Sequence, residues 1–225
     1  MKTSTILQPP HSSFLIIGET PLMAKTNYKN GDHNFFAFIN RSKLINRWSL
    51  MFNRKSESVA EHSHQTAIIA HSLGVIDNVI FKLNTNADRC AVYALYHDAS
   101  EVFTGDMPTP VKYRNSSMIT AYTEATAAAE QQLLDSLPLQ LQPFYSSYIS
   151  CNNDNSREAT LAHYADKISA LVKCIEEVAS GNNEFLNAKK TTQTTIENLN
   201  DKTVNYFIDN FLQAFSKNLD ELIGE

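Results

Sequence analysis

From residue 34 onward, apolar residues return at intervals of three and four, and the alternation that marks a strand is nearly absent. The segment "HNFFAFINRSKLINRW" (33–48) sets Phe36, Ile39, Leu44 and Ile45 at roughly helical spacing. "SVAEHSHQTAIIAHSLGVI" (58–76) opens with Ser58 and Glu61, the spacing of a capping box. Thr85 or Asn86 caps a helix predicted to run to about Phe103. Residues 116–137 are alanine-rich with Ile119, Tyr122 and Leu133 on one side, and a short proline-flanked helix is expected near 143–150. Asn155 and Glu158 form a second capping pair, ahead of the stripe Leu161, Ala165, Ile168, Val172 and Ile175, which Gly181 ends. The last helix, about 201–222, carries Val204, Phe207, Phe211, Phe215 and Leu222. The pattern predicts an all-α fold, one helical bundle of six to eight helices over residues 34–225, with no internal repeat. Residues 1–33 lack periodicity and hold breakers such as "QPPHSS", so a loosely ordered N-terminal extension is expected, in which Met23 could serve as an alternative start.

Composition narrows the class. At 225 residues, 43% apolar and 19% charged, the chain suits one well-buried globular domain. A net charge of −5 argues against a binder of nucleic-acid polymers or anionic membranes. Residues 25–55 are a local exception, with seven Lys or Arg and the single acid Asp32, which would draw in a small anion. Cys90, Cys151 and Cys174 lack CxxC spacing, so neither a disulfide framework nor a thiolate zinc site is indicated. No apolar run reaches transmembrane length, and "FLIIG" (14–18) is too short for a signal peptide; the expected compartment is the cytoplasm.

The stretch "LYHDASEVFTGDMPTP" (95–110) puts three ionisable groups, His97, Asp98 and Glu101, inside a helical pattern. Helical arithmetic sets Asp98 on the face of Ala91, Leu95 and Val102, a core face. A buried aspartate without a partner costs several kcal/mol, so it needs a cation or donors. Neighbours on a helix lie about 100° apart, so His97 and Asp98 can share one ion only over the edge between them. Such a mixed imidazole–carboxylate site suits Mn, Fe, Co, Ni or Zn. A buried His–Asp hydrogen bond explains the same residues without metal, and spacing alone weighs the two equally. His62 shares a face with Ile69, Leu73 and Ile76, and His97 with Cys90 and Ala94; each alone reads first as a core histidine. Glu101, four residues after His97, can face the same pocket as a proton-transfer group or stand as an exposed helix acid. "GDMPTP" by itself is a helix stop.

A histidine in one helix followed by "HD" in the next is the pattern of the HD superfamily of metal-dependent phosphohydrolases. "LINRW" (44–48), "SVAEHS" (58–63), "YHDASEVFTGDMPTPVKY" (96–113) and "KCIEEVASGNNEF" (173–185) together resemble the bacterial 5'-deoxynucleotidases, the YfbR-like family, from about Asn34 to about Leu219. The resemblance implies a divalent ion (Co, Mn, Zn, Fe or Ni) held by His62, His97, Asp98 and Asp166. It implies that Arg47 orients the phosphate, that Trp48 borders the sugar, and that Glu101 transfers a proton. It adds His62, Asp98, Asp166, Asp106, Met107, Pro108 and Thr109 as substrate contacts, deoxyribonucleoside 5'-monophosphates as substrates, and a homodimer. Without it, Asp166, one step off the apolar stripe beside Ala162, Ser169 and Ala170, reads as a solvated rim acid. Arg47 and Trp48 likewise read as a surface salt-bridger beside a packing aromatic, although a guanidinium in a basic segment suits a phosphate. Two rivals are an HD phosphohydrolase for a cyclic nucleotide, a nucleoside triphosphate or an alarmone, and a non-catalytic nucleotide-binding HD scaffold. Four intact ligand positions weigh against the scaffold.

Overall fold

The computed structural model describes residues 32–150 and 154–224. In chain order the helices are α1 (Phe35–Ile39), α2 (Val59–Val79), α3 (Ala87–Tyr96), α4 (Glu101–Thr104), α5 (Thr109–Lys112), α6 (Ser116–Asp135), α7 (Gln142–Ile149), α8 (Arg157–Ala179), α9 (Leu186–Glu197), α10 (Lys202–Phe211) and α11 (Leu219–Ile223). Seven of them reach eight residues, and the described residues form no strand beyond an isolated bridge between Asn46 and Ser58. The architecture is all-α, as the periodicity predicts. The predicted N-terminal extension lies outside the described residues, apart from Asp32 and His33.

α2 is the central helix. It packs on α3 and α8, which also pack on each other. The main core runs through Ile69, Leu73, Tyr93, Ile168, Leu171, Val172 and Phe207. Gly74 lets α2 approach α3 closely, since a Cβ there would sit 2.7 Å from the Ala87 Cα. A second cluster joins Phe35, Ala99, Leu133, Leu137 and Ile149. The turn 97–100 therefore runs from one core to the other, with Ala94 packed in the first and Ala99 in the second.

A polar tie fixes the far end of the main core. Asp77 on α2 is fully buried and accepts from Arg157 Nε (2.8 Å) and Nη2 (2.9 Å) at the start of α8. It also accepts from Thr85 Oγ1 (2.8 Å) and from the Thr203 hydroxyl. Arg157 Nη1 donates to Asp201 (2.6 Å), whose carboxylate also caps α10 through the Thr203 and Val204 N–H groups. Burial alone would raise the Asp77 pKa, but Arg157, Thr203 and Thr85 outweigh it and lower it.

Several boundaries differ from the sequence expectation. Ser58 and Glu61 do form a reciprocal capping box, and Asn86 rather than Thr85 caps α3. The cap of α8 is Ser156, which accepts from the Ala159 N–H; Glu158 instead accepts the Asn86 N–H at 2.9 Å and joins two helix starts. The helix expected to reach Phe103 breaks at Tyr96 and resumes at Glu101. Its face arithmetic therefore fails beyond Tyr96, and Leu95, assigned to a core face, is 46% exposed. The last helix stops at Phe211 and continues as a 3-10 turn before α11. Threonine-rich α9 went unpredicted because Ile196 is its one buried residue. Among the described residues no helix is long and apolar enough to cross a membrane.

Candidate active site

His62 sits one turn into α2, placed by the capping box, and its side chain is fully buried. His97 closes α3, and Asp98 lies in the turn that follows. Asp166 projects from the middle of α8. These groups, more than a hundred residues apart at the extremes, converge. His62 Nε2 lies 3.1 Å from Asp166 Oδ1 and 3.7 Å from Asp98 Oδ2. His97 Nε2 lies 3.0 Å from Asp98 Oδ2 and 3.8 Å from Asp166 Oδ1.

The outer hydrogen bonds settle which ring nitrogen faces inward. His97 Nδ1 is 2.7 Å from the Ala94 carbonyl, which can only accept. Ser169 Oγ donates to Gln65 Oε1 (2.9 Å), which leaves it to accept from His62 Nδ1 at 3.2 Å. Each ring thus uses Nδ1 for its outer hydrogen bond and turns Nε2 toward the two carboxylates. Two carboxylates so close to two imidazole nitrogens call for positive charge among them, from a metal ion or from protons. His97 Nε2 is buried between the two carboxylates, nearer to Asp98 than to Asp166.

One ligand atom each from His62, His97 and Asp98 lie within 4.8 Å of one another, a group able to hold a metal ion. Ligands bonded at about 2.1 Å sit about 3.0–3.5 Å apart around one ion, close to the separations seen here. Without an ion, protons take its place. Burial lowers the His97 pKa, yet Asp98 and Asp166 outweigh it and hold it well above the ordinary 6.5. Burial raises the Asp98 pKa, but His97, His62 and Arg47 pull it to about 2. Asp166 is likewise held well below its usual range, burial being overcome by His62 and His97.

Arg47 and Trp48 lie in the loop before α2, where antiparallel pairing joins Arg47 N–H to the Glu57 carbonyl (2.9 Å) and Val59 N–H to the Ile45 carbonyl (2.9 Å). Arg47 Nη1 reaches Asp98 Oδ2 at 3.2 Å and its Nε reaches Glu57 Oε2 at 3.2 Å. Trp48 Nε1 donates to the same Glu57 oxygen at 3.1 Å. Trp48 adopts φ +59°, a left-handed conformation that costs a bulky residue about 1–2 kcal/mol. Its ring packs on Phe185 (centroids 5.3 Å apart), Asp106 accepts its backbone N–H, and Asn53 Nδ2 donates to its carbonyl. The loop is strapped to α8 by buried Glu177, which accepts from the Arg54 and Lys55 N–H groups, Asn182 Nδ2 and Lys173 Nζ.

Glu101 opens α4 beside this cluster. It is 8% exposed, and its Oε2 has no hydrogen-bond partner among the described residues. Burial, reinforced by Asp98 and Asp106, pushes its carboxyl up to about 9, so it stays protonated at neutral pH. Gly105, at φ +70°, ends α4 and turns the chain to Asp106. Burial raises the Asp106 pKa as well. Met107 and Pro108 are half-buried in the same turn, whereas Thr109 is exposed at the start of α5. The structure thus gathers His62, His97, Asp98, Asp166 and Arg47 directly, with Glu101, Trp48 and Asp106 adjoining. Sequence reasoning missed Glu57, Ser169, Glu177 and Phe185. Glu57 sits in a loop where periodicity assigns nothing.

A helical bundle that brings a histidine, a His–Asp pair and a distant aspartate to one point is the architecture of the HD-domain phosphohydrolases. An HD-domain phosphohydrolase from Listeria innocua, solved at 1.98 Å, superposes with a TM-score of 0.72 at 27% identity, over 81% of this chain and 88% of its own. A cyanophage S-2L HD phosphohydrolase described as bound to dA and one catalytic Zn2+ ion shares the fold (TM-score 0.57, 14% identity, 81% of this chain and 96% of its own). The chain belongs to the 5'-deoxynucleotidase YfbR-like family, whose model matches residues 34–215. It is 46% identical over 189 residues to the 5'-deoxynucleotidase YfbR of Escherichia coli O1:K1, covering 84% of this chain and 95% of that protein. It is 44% identical to a 5'-deoxynucleotidase of Enterobacter sp. (strain 638), with the same coverage.

Proposed function

We propose that this chain is a metal-dependent 5'-deoxynucleotidase that hydrolyses deoxyribonucleoside 5'-monophosphates to deoxyribonucleoside and phosphate. The observation that carries the reading is the convergence of two imidazole Nε2 atoms and two carboxylates beside a half-buried arginine. His62, His97, Asp98 and Asp166 would hold a divalent ion, Co, Mn, Zn, Fe or Ni, within a catalytic domain of residues 34–225. Such an ion, when bound, polarises a phosphate oxygen and lowers the pKa of a coordinated water.

The remaining work falls to the chain itself. Arg47 spends its Nε on Glu57 and one Nη1 proton on Asp98, which leaves its other N–H groups for phosphate oxygens. Glu101, neutral at pH 7, can give its proton to the 5' oxygen as the ester bond breaks. Burial and the nearby Asp98 and Asp106 keep that proton in place beforehand. Asp106, Met107, Pro108 and Thr109 line the substrate with His62, Asp98 and Asp166, and Trp48 forms a wall that excludes a 2'-hydroxyl. A homodimer working in the cytoplasm completes the proposal.

The test is phosphate release from paired deoxy- and ribonucleoside monophosphates after chelation, with each metal added back. Metal-dependent release favouring the deoxy series is expected. Release from none of them would leave the non-catalytic scaffold.

A further inference from the structure

We infer that Glu57 is a positioning residue that fixes the phosphate-facing and sugar-facing groups together through one carboxylate oxygen. The inference rests on the roles proposed above for Arg47 and Trp48. Glu57 Oε2 accepts from Arg47 Nε at 3.2 Å and from Trp48 Nε1 at 3.1 Å. Both donors are planar, so each bond sets a ring or guanidinium orientation as well as a distance. Holding Nε fixes the guanidinium plane, and with it the direction of the N–H groups left for phosphate. Holding Nε1 fixes the swing of the indole against Phe185.

The anchor is itself rigid. The Glu57 side chain is only 11% exposed, and its carbonyl accepts the Arg47 N–H at 2.9 Å. It directly precedes Ser58, the cap of the helix that bears His62. Trp48 has a particular need of support, because its left-handed backbone is strained and must be held from outside. Arg47 keeps a second partner in Asp98, so loss of Glu57 should loosen Arg47 without releasing it. The consequence is a coupled defect. Losing one carboxylate should slow both nucleotide classes through Arg47 and admit ribonucleotides through Trp48.

The chain has a single tryptophan, so its indole N–H gives one 1H–15N cross-peak that reports the Glu57 contact directly. In Glu57→Ala we expect that peak to move upfield and bound metal to stay unchanged. We also expect kcat/KM for dAMP to fall about tenfold or more and the dAMP/AMP ratio to narrow at least about threefold. Glu57→Gln keeps an acceptor oxygen at the same reach and should restore both peak and ratio. Should the alanine variant fail to fold, Glu57→Asp withdraws the carboxylate by one methylene and must show the same shift and narrowing. A shifted peak with rate and ratio within about twofold of wild type overturns the inference, as does a peak that stays put. A wild type that releases phosphate from no nucleotide sinks the functional reading instead, and the peak then decides alone whether Glu57 holds the loop.

Discussion

Replacing Glu101 by glutamine keeps the shape of the side chain and removes its titration. Glu101 has an ordinary value of 4.5 in the unfolded chain and about 9 in the metal-free folded one. Between those values the folded chain keeps a proton that the unfolded chain releases. Stability therefore falls as pH rises, by up to about 1.4 kcal/mol per unit. From pH 5 to pH 7 the loss is about 2.5 kcal/mol for any folded value above about 8. Glu101→Gln has no such group. Its stability relative to wild type should climb by about 2.5 kcal/mol across the same window. Contributions from His97, Asp98 and Asp166 are common to both proteins and largely cancel. The assay is urea unfolding of both proteins after chelation at pH 5, 6 and 7, followed by far-ultraviolet circular dichroism. Parallel pH profiles would refute the claim that the pocket holds this carboxyl neutral. With metal restored, the variant should keep its ion and lose about two to four orders of magnitude in rate, the range for general acid–base catalysis. Near-normal turnover would remove Glu101 from the mechanism.

The other expectations concern the ligands, the substrate filter and the domain. His97→Ala or Asp98→Ala should lose bound metal as well as activity, measured as metal per chain after purification; full occupancy in either variant contradicts the ligand assignment. Arg47→Ala should slow dAMP and AMP alike, whereas Trp48→Ala should narrow their kcat/KM ratio, and an unchanged ratio in the tryptophan variant assigns the sugar filter elsewhere. A chain beginning at Met23 should remain soluble and hydrolyse substrate at the full-length rate; insolubility would show that the first residues pack on the bundle.

Much of the bundle is legible because α2, α8 and α10 bury faces at helical spacing, and because Ser58–Glu61 and Gly181 punctuate them. The break at Tyr96 is not legible. Residues 97–103 continue the helical pattern, whereas in the structure the chain turns there and Ala99 packs into the second core. That same break undid the face argument for Asp98 while leaving its need for a cation intact. Asp166 shows the limit most clearly. Its periodicity describes a rim acid, and its closeness to His62 depends on how α8 lies against α2, a long-range relation that no local pattern carries. Glu57 is invisible for the complementary reason: it acts from a loop, through a single oxygen.

The tie around Asp77 bears on how this sequence can drift. Asp77, Thr85, Arg157, Asp201 and Thr203 come from widely separated parts of the chain yet share one set of hydrogen bonds. Losing a threonine hydroxyl costs about 1–3 kcal/mol, and losing Arg157 strands the fully buried Asp77 charge, a break that costs about 3–5 kcal/mol. That is a large share of the stability of an ordinary domain. Single substitutions at these positions should be purged, while a concerted swap to well-packed apolar residues could be neutral or better. The route between the two solutions passes through a valley of intermediates. The five residues should therefore be inherited as a block, and a designer seeking a more heat-resistant version would have to replace them together.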